Sequence, residues 1–327
     1  MANGRLTSEA HPELFHYTNE VGLSGILRTQ CIWATHWQHL NDAMELEQFW
    51  EVLPALIGPA RIELLRKQAR QNSGLERFIA ESGGVQVCAE EVAVGLTKAM
   101  RELMVAAKSE EQIFEYYVAS FCTPTGAYEG VRTHGLLSQW RYYAQGGGYA
   151  IVLDTASLED LLQRESATWG HYRISFGDVA YSCDPPDLLA SRIESLPTFL
   201  EALNACKFDS SEACSGLLGP LQQCFMHFKH WSFSEEREVR LVAVLIGDKM
   251  RRVHSGEGSQ WVERERHLVN GVPRVHVFEG LGSHLPIKRI IVGPGPRQSE
   301  SEAKVLRLLT ELHLDIPVDR SEIPIRF

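Results

Sequence analysis

The sequence predicts an α+β fold: a mixed or split central sheet with helical insertions and with helices to one side. Three observations predict it. Short apolar or alternating runs of strand type recur along the chain, at 13–18, 31–36, 117–123, 149–155 and 288–296. Segments of helical periodicity lie between them, but without a regular βαβ rhythm. One run, VRLVAVLI, starts half-polar and becomes fully apolar, the pattern of a central strand buried on both faces.

The elements follow in order. Residues 1–12 read as a flexible tail, and 13–327 as a single domain. ELFHYT (13–18) is a strand. EVGLSGILRT (20–29) places Val21, Leu23, Ile26 and Leu27 at helical spacing, and CIWATH (31–36) is a second strand. Asn41 and Asp42 cap the next helix, with Glu45 completing an approximate capping box. A helical insertion spans about 43–117, broken at Pro54, Gly58-Pro59, Asn72-Ser73-Gly74 and Gly83-Gly84. YVASFCT (117–123) is a strand, LLSQWRYYAQ (136–145) a helix stopped by Gly146–Gly148, and YAIVLDT (149–155) an apolar strand. A short helix at 158–164 and a strand at 179–182 precede a second helical insertion at about 187–230. The second half of 229–247 is the central strand. A hairpin with its turn at Asn270-Gly271 occupies 261–278. An amphipathic helix at 299–313 and a strand at 314–318 end the chain.

Composition narrows the function. The 327 residues carry 32 Lys+Arg against 42 Asp+Glu, a formal charge of −10. Such a surface repels phosphate backbones, so generic nucleic-acid binding is not expected. Seven scattered cysteines without a Cys-x-x-Cys fit neither a disulfide framework nor a zinc ribbon, and point to a reducing compartment. The N-terminal residues lack the apolar stretch of a signal peptide, and the longest apolar runs are too short to span a bilayer. A cytoplasmic protein with no membrane partner is expected. No phosphate-binding glycine loop, dinucleotide fingerprint, zinc-protease helix or nucleophile elbow occurs. His227 and His230 are three residues apart but lack an obvious third ligand, so no metal is expected.

Three constellations carry candidate chemistry. His16 and Thr18 lie two apart on a strand and so share a face, an imidazole beside a hydroxyl; the same pattern fits a polar edge strand. Glu236 and Glu238, within Glu235-Glu236-Arg237-Glu238, stand roughly 6–7 Å apart if the strand is regular. Paired carboxylates at a strand mouth suit a positive, oxocarbenium-like transition state, and a solvated charged turn is the plain alternative. Ser138, Trp140, Arg141, Tyr142 and Tyr143 offer an aromatic wall for a planar ring, or simple packing.

Taken in order, LFHYT, GLSGIL, IWAT, LND-x-x-E, LLSQWRYY with GGGYAIVLD, FSEEREVRLV, IIVGPG and SEIPIRF resemble a bacterial family known only as a domain of unknown function. The resemblance runs along nearly the whole chain. The order of the pieces also resembles the ADP-ribosyltransferase fold: a His on an early strand before a Gly-Leu-x-x-Ile-Leu helix, a tyrosine-bearing helix between middle strands, and a late strand opening on Glu-x-Glu. That resemblance implies NAD as substrate and a cofactor-binding set of His16, Tyr17, Thr18, Ser138, Trp140, Arg141, Tyr142 and Tyr143. It implies Tyr142 or Tyr143 stacked on nicotinamide, Glu238 on the nicotinamide ribose, and Glu236 orienting a macromolecular acceptor. The expected activity is therefore ADP-ribosyl transfer from NAD, as in a toxin or phage-defence effector. Two alternatives stand beside it: a non-catalytic nucleotide-binding sensor, and a metal-dependent nuclease using Asp42, Glu45 and the carboxylates of 235–238.

Overall fold

The computed structural model describes residues 7–40, 45–106, 114–143, 148–193, 195–206, 216–247 and 262–324. Its centre is a mixed sheet built around strand β3 (Phe114–Cys122). One edge of β3 pairs antiparallel with β8 (Glu238–Ile246) along all nine residues, and β8 pairs on its far side with β5 (Arg173–Asp178). The other edge of β3 is shared by two strands. β1 (Glu13–Asn19) meets it only at Phe15 opposite Cys122, and β2 (Ile32–His36) at Thr35 opposite Val118 and His36 opposite Tyr117.

From this fork the sheet runs two ways. β1 continues through β4 (Gly148–Asp154) and β11 (Ile287–Val292) to β12 (Val318–Arg320), with the last pair parallel. β2 continues through β10 (Val272–Val277) to β9 (Arg266–Val269). The β9–β10 turn is the expected Asn270-Gly271, whose φ angles of 53° and 79° are those that Asn and Gly tolerate. A separate parallel pair joins β6 (Ala180–Tyr181) to β7 (Phe228–Lys229).

Strand alternation gives the sheet two apolar faces, and each is covered. Leu14, Tyr117, Phe121, Ile151, Val239 and Leu241 face one side. There they pack under α2 (Glu20–Thr29), α8 (Thr155–Thr168) and α12 (Gln298–Glu311). Tyr116, Val118, Val242 and Val244 face the other. Covering them are α3 (Glu45–Ala69), α5 (Val85–Ala106), α9 (Pro186–Arg192), α10 (Leu196–Ala205) and α11 (Leu218–Phe225). The expectation of helices to one side is thereby corrected. The two helical insertions supply the second layer, because a central strand apolar on both faces needs cover on both.

Other boundaries also move. Residues 7–10, read as tail, form one helical turn (α1), tied down where Ser8 Oγ donates to Glu159. β3 starts at Phe114, inside the stretch read as helical. α4 (Ser73–Glu81) and α6 (Glu129–His134) complete the helices around these strands. A buried ion cluster ties α8 to the sheet. Glu165 accepts from His171 Nε2, from both Arg264 Nε and Nη2, and from the Phe278 backbone amide, so each of its oxygens is satisfied. No helix among the described residues is long and apolar enough to cross a membrane.

A third apolar cluster sits where β1, β4 and β11 meet α7 (Leu137–Tyr143). Its anchor is Trp140, fully buried, which donates Nε1–H to the His134 carbonyl at 2.7 Å. Gly135 lies directly against that indole. Its backbone (φ 80°, ψ −179°) is one that only glycine adopts readily, and a Cβ there would stand 2.7 Å from the ring. Gly135→Ala is therefore expected to cost at least roughly 2 kcal/mol, adding backbone strain to overpacking. Chemical denaturation checks this: adding Trp140→Leu should return the packing part and leave the backbone part.

Candidate functional site

The candidate site lies at the mouth of β8. Residues Trp231–Glu236 form a 3-10 helix, and Arg237 then takes the left-handed conformation (φ 45°) before Glu238 opens the strand. Arg237 is fixed there: its side chain donates to the Thr125 carbonyl at 2.8 Å, and its own carbonyl accepts from Thr123 N at 3.2 Å. Glu236 and Glu238 are thus not neighbours on a regular strand, as the sequence spacing predicts. They converge by another route. Lys229, at the end of β7, donates from one ammonium to Glu236 Oε2 and to Glu238 Oε2, each at 2.8 Å.

The two carboxyls have different environments. Glu238 is 3% exposed and both of its oxygens are engaged, since Oε1 accepts from Arg240 Nε at 2.8 Å. Arg240, two residues on and on the same strand face, also donates to the carbonyls of Met226 (2.9 Å) and Phe228 (3.5 Å). The Glu238 backbone amide donates to the Tyr181 hydroxyl at 2.8 Å. Burial alone would raise the Glu238 pKa, but Arg240 and Lys229 outweigh it and hold the carboxyl down at about 2. Glu236 shifts the other way. Burial raises its pKa, the adjacent Glu238 adds to the rise, and Lys229 and a hydrogen bond from Gln139 offset only part of it. Lys229 is thus shared by two carboxyls whose pKa values are pushed in opposite directions. Lys229 itself is pushed further up by Glu238 and Glu236 despite its burial, so its ammonium is permanent. Cys122, directly opposite Glu238 on β3, has its thiol held up by burial and by both carboxylates, and is a poor nucleophile.

Register decides which of the expected N-terminal residues belong here. Phe15 pairs with Cys122, and Cys122 with Glu238, so these three side chains share one face. Tyr17 shares it too. It is buried, accepts from Leu136 N at 2.7 Å and meets Trp140 edge-on at 5.0 Å. His16 and Thr18 point to the other face, with Ile151 and Tyr149 opposite them. The sheet therefore separates them from Glu238. His16 works at the fork: its Nδ1–H donates to the Ser120 carbonyl at 3.0 Å, where β1 and β2 diverge along β3. Burial lowers its pKa, so it is a neutral donor. The Thr18 hydroxyl packs against the first turn of α2, 2.0 Å from where a Cβ on Gly22 would be.

The helix α7 divides likewise. Trp140 is core, and Ser138 is half-buried with its hydroxyl facing no hydrogen-bond partner among the described residues. Arg141 and Tyr142 are exposed. Tyr143 ends the helix, and its side chain lies outside the described residues, as do Asp42 and the side chain of Glu45. The residue of this helix that reaches the carboxylates is Gln139, which is not among the candidates its sequence suggests. Lys229 and Tyr181 were also missed. A lysine placed just before the acidic run was the one available signal. His227 and His230 do not form a pair: His227 Nδ1 donates to the Gln223 carbonyl, and His230 Nδ1 bonds Ser232 Oγ.

The opposed shifts make a testable asymmetry. Glu238, depressed from 4.5, stabilises the fold above its unfolded pKa, and that stability is lost as pH falls through about 2. Glu236, raised, does the reverse, and its charge costs stability at neutral pH. Glu238→Gln, which leaves two buried cations undercompensated, is expected to cost roughly 3–5 kcal/mol. Glu236→Gln is expected to stay within about 1 kcal/mol of wild type. Urea unfolding at pH 7 of both variants checks the contrast.

No curated protein and no solved structure matches the chain. Residues 139–241, the stretch that holds Lys229, Glu236, Glu238, Arg240 and their partners Gln139 and Tyr181, match the model of a family described as "Protein of unknown function (DUF2971)", and to that extent the family likeness read from the sequence holds.

Proposed function

We propose that the chain is an enzyme of the ADP-ribosyltransferase kind, which breaks the nicotinamide–ribose bond of NAD and passes the ADP-ribosyl group to a macromolecular acceptor. The observation that supports this reading is the convergence of Glu236 and Glu238 on Lys229, with the pKa of one carboxyl held low and that of the other raised. Two carboxyls pushed apart in this way are suited to separate acid–base and electrostatic roles. Bond cleavage leaves a cationic sugar, which the more open carboxylate, Glu236, is placed to stabilise.

Access sets the roles. Glu236 is the more open of the two, with 15% of its side chain exposed against 2% for Glu238. In this reading Glu236 meets the ribose or the incoming acceptor, where a raised pKa suits proton transfer. Glu238, saturated by Lys229 and Arg240, is a positioning residue that fixes the ammonium under Glu236. Gln139 orients the Glu236 carboxyl from the side of α7. His16 and Thr18 have no contact with the chemistry.

A second reading is a nucleotide-binding sensor without turnover. The saturation of Glu238 favours it, because that carboxylate has no free oxygen to offer a ligand.

Purified protein incubated with NAD and lysate, with nicotinamide release measured, separates the two. Release by wild type that falls by roughly 10²–10⁴-fold in Glu236→Gln, a variant expected to fold normally, is the result expected of the enzyme. Thermal stabilisation by NAD with no release is expected of the sensor. Neither response would discard both.

A further inference from the structure

The β9–β10 hairpin, on the far side of β2 from the carboxylate cluster, carries a second grouping of side chains. His276 lies directly opposite Trp33 on β2, and its ring stacks on the indole at 5.4 Å with 12° between planes. On its other side His267 of β9 stacks at 4.0 Å and 14°. Glu279, just past β10, brings Oε2 to 3.4 Å from His276 Nδ1. One donor atom from each of His267, His276 and Glu279 lies within 4.8 Å of the other two.

Packing alone does not explain the chemistry of this group. Both ring nitrogens of His276 are sealed from solvent; Nδ1 has only the Glu279 carboxylate at 3.4 Å, and Nε2 has no hydrogen-bond partner among the described residues. A neutral imidazole always carries one N–H and one lone pair; with Nδ1–H turned toward Glu279, the Nε2 lone pair is left buried and unmet, which costs stability. Two stacked imidazoles also repel when both are charged, and an ion shared between them removes that repulsion.

We propose that His267, His276 and Glu279 form a binding site for a divalent transition-metal ion of the zinc class. Two imidazoles and one carboxylate match that class, whereas calcium and magnesium prefer all-oxygen shells. Three protein ligands leave the fourth tetrahedral position to water. Ligands around such an ion stand roughly 3.4 Å apart, so the donors close in by no more than about 1.4 Å. Stacked rings aim their in-plane lone pairs in parallel. Binding therefore requires the imidazoles to swing about their soft terminal torsion and open toward the ion. That swing unstacks His276 from Trp33, which gives binding an optical signature. The site is independent of the NAD reading, since none of its residues belongs to the carboxylate cluster.

The full chain, stripped with chelator, is titrated with zinc chloride by calorimetry, with cobalt(II) absorption as the coordination signature and magnesium chloride as a control. The expected result is one zinc per chain, tetrahedral cobalt bands, a change in tryptophan fluorescence, and no response to magnesium. His276→Ala, His267→Ala and Glu279→Gln should each weaken binding by at least roughly 10–100-fold, the loss typical of removing even an outer partner. Trp33→Phe should retain binding and lose most of the fluorescence change. Glu279 is more open than His276, with 42% of its side chain exposed against 14%, so Glu279→Gln serves even if His276→Ala fails to fold. Absence of saturable zinc binding overturns the proposal, and so does binding that is unchanged in both His267→Ala and Glu279→Gln, which would place the ion elsewhere.

Discussion

Strand β8 is buried at all nine of its positions, and two of those positions, Glu238 and Arg240, are charged. Taking such groups out of water costs several kcal/mol each unless every charge is matched. The fold meets this with Lys229 as a third member and backbone carbonyls as further acceptors. The consequence reaches beyond the strand. Lys229, Phe228 and Met226 belong to the segment that forms β7, and Tyr181, which accepts from the Glu238 amide, belongs to β6. The small β6–β7 sheet is thus stapled to the mouth of β8 by the same interactions that neutralise its charges. A hydrophobic pair at 238 and 240 would bury as much surface, but it would not specify where residues 226–229 dock. In this chain the ionic cluster serves placement more than raw stability.

That placement explains why two glutamates two residues apart behave oppositely. Arg240 reaches Glu238 because both lie on one strand face. Arg237, in the left-handed conformation, breaks the strand alternation and sets Glu236 at the end of a 3-10 helix, on the open side of the ammonium. Lys229 is then divided between two anions, while Arg240 adds its charge at Glu238. Desolvation dominates at Glu236 and ion pairing dominates at Glu238, without any change in residue type.

Much of the framework was legible because it rests on short-range pattern. The apolar runs gave β1, β2, β4, β8 and β11, and Asn270-Gly271 gave the hairpin turn. β5, with its half-exposed Arg173–Asp178, has no clear alternation and was not read. The side on which the insertions pack was also hidden, since an amphipathic helix does not announce which face of a sheet it will cover. At the site the residue types were readable and their geometry was not. A positive φ at an arginine leaves no mark in a single sequence, so Glu236 and Glu238 looked like strand neighbours. Their convergence depends on Lys229, seven and nine residues upstream, across a turn.

His16 shows how far register governs such readings. A His two residues before a Thr on an early strand suits a ligand-facing pair, and the pair does share a face. Whether that face is the one bearing Glu238 depends on a single alignment, Phe15 opposite Cys122. A slip of one residue would carry His16 and Thr18 to the other side. Nothing local to the HYT tripeptide fixes that alignment. It is fixed by long-range packing, with Phe15 and Tyr17 seated against Trp140 in one apolar cluster and Leu14 in another. The fork in the sheet then gives His16 a duty of its own. Where β1 and β2 part, the Ser120 carbonyl has the imidazole N–H as its donor. An apolar ring of similar size would fill that space and leave the carbonyl unmet. The histidine is thereby accounted for by the backbone it completes, and whatever chemistry the protein performs at β8 must be built from the residues on the opposite face.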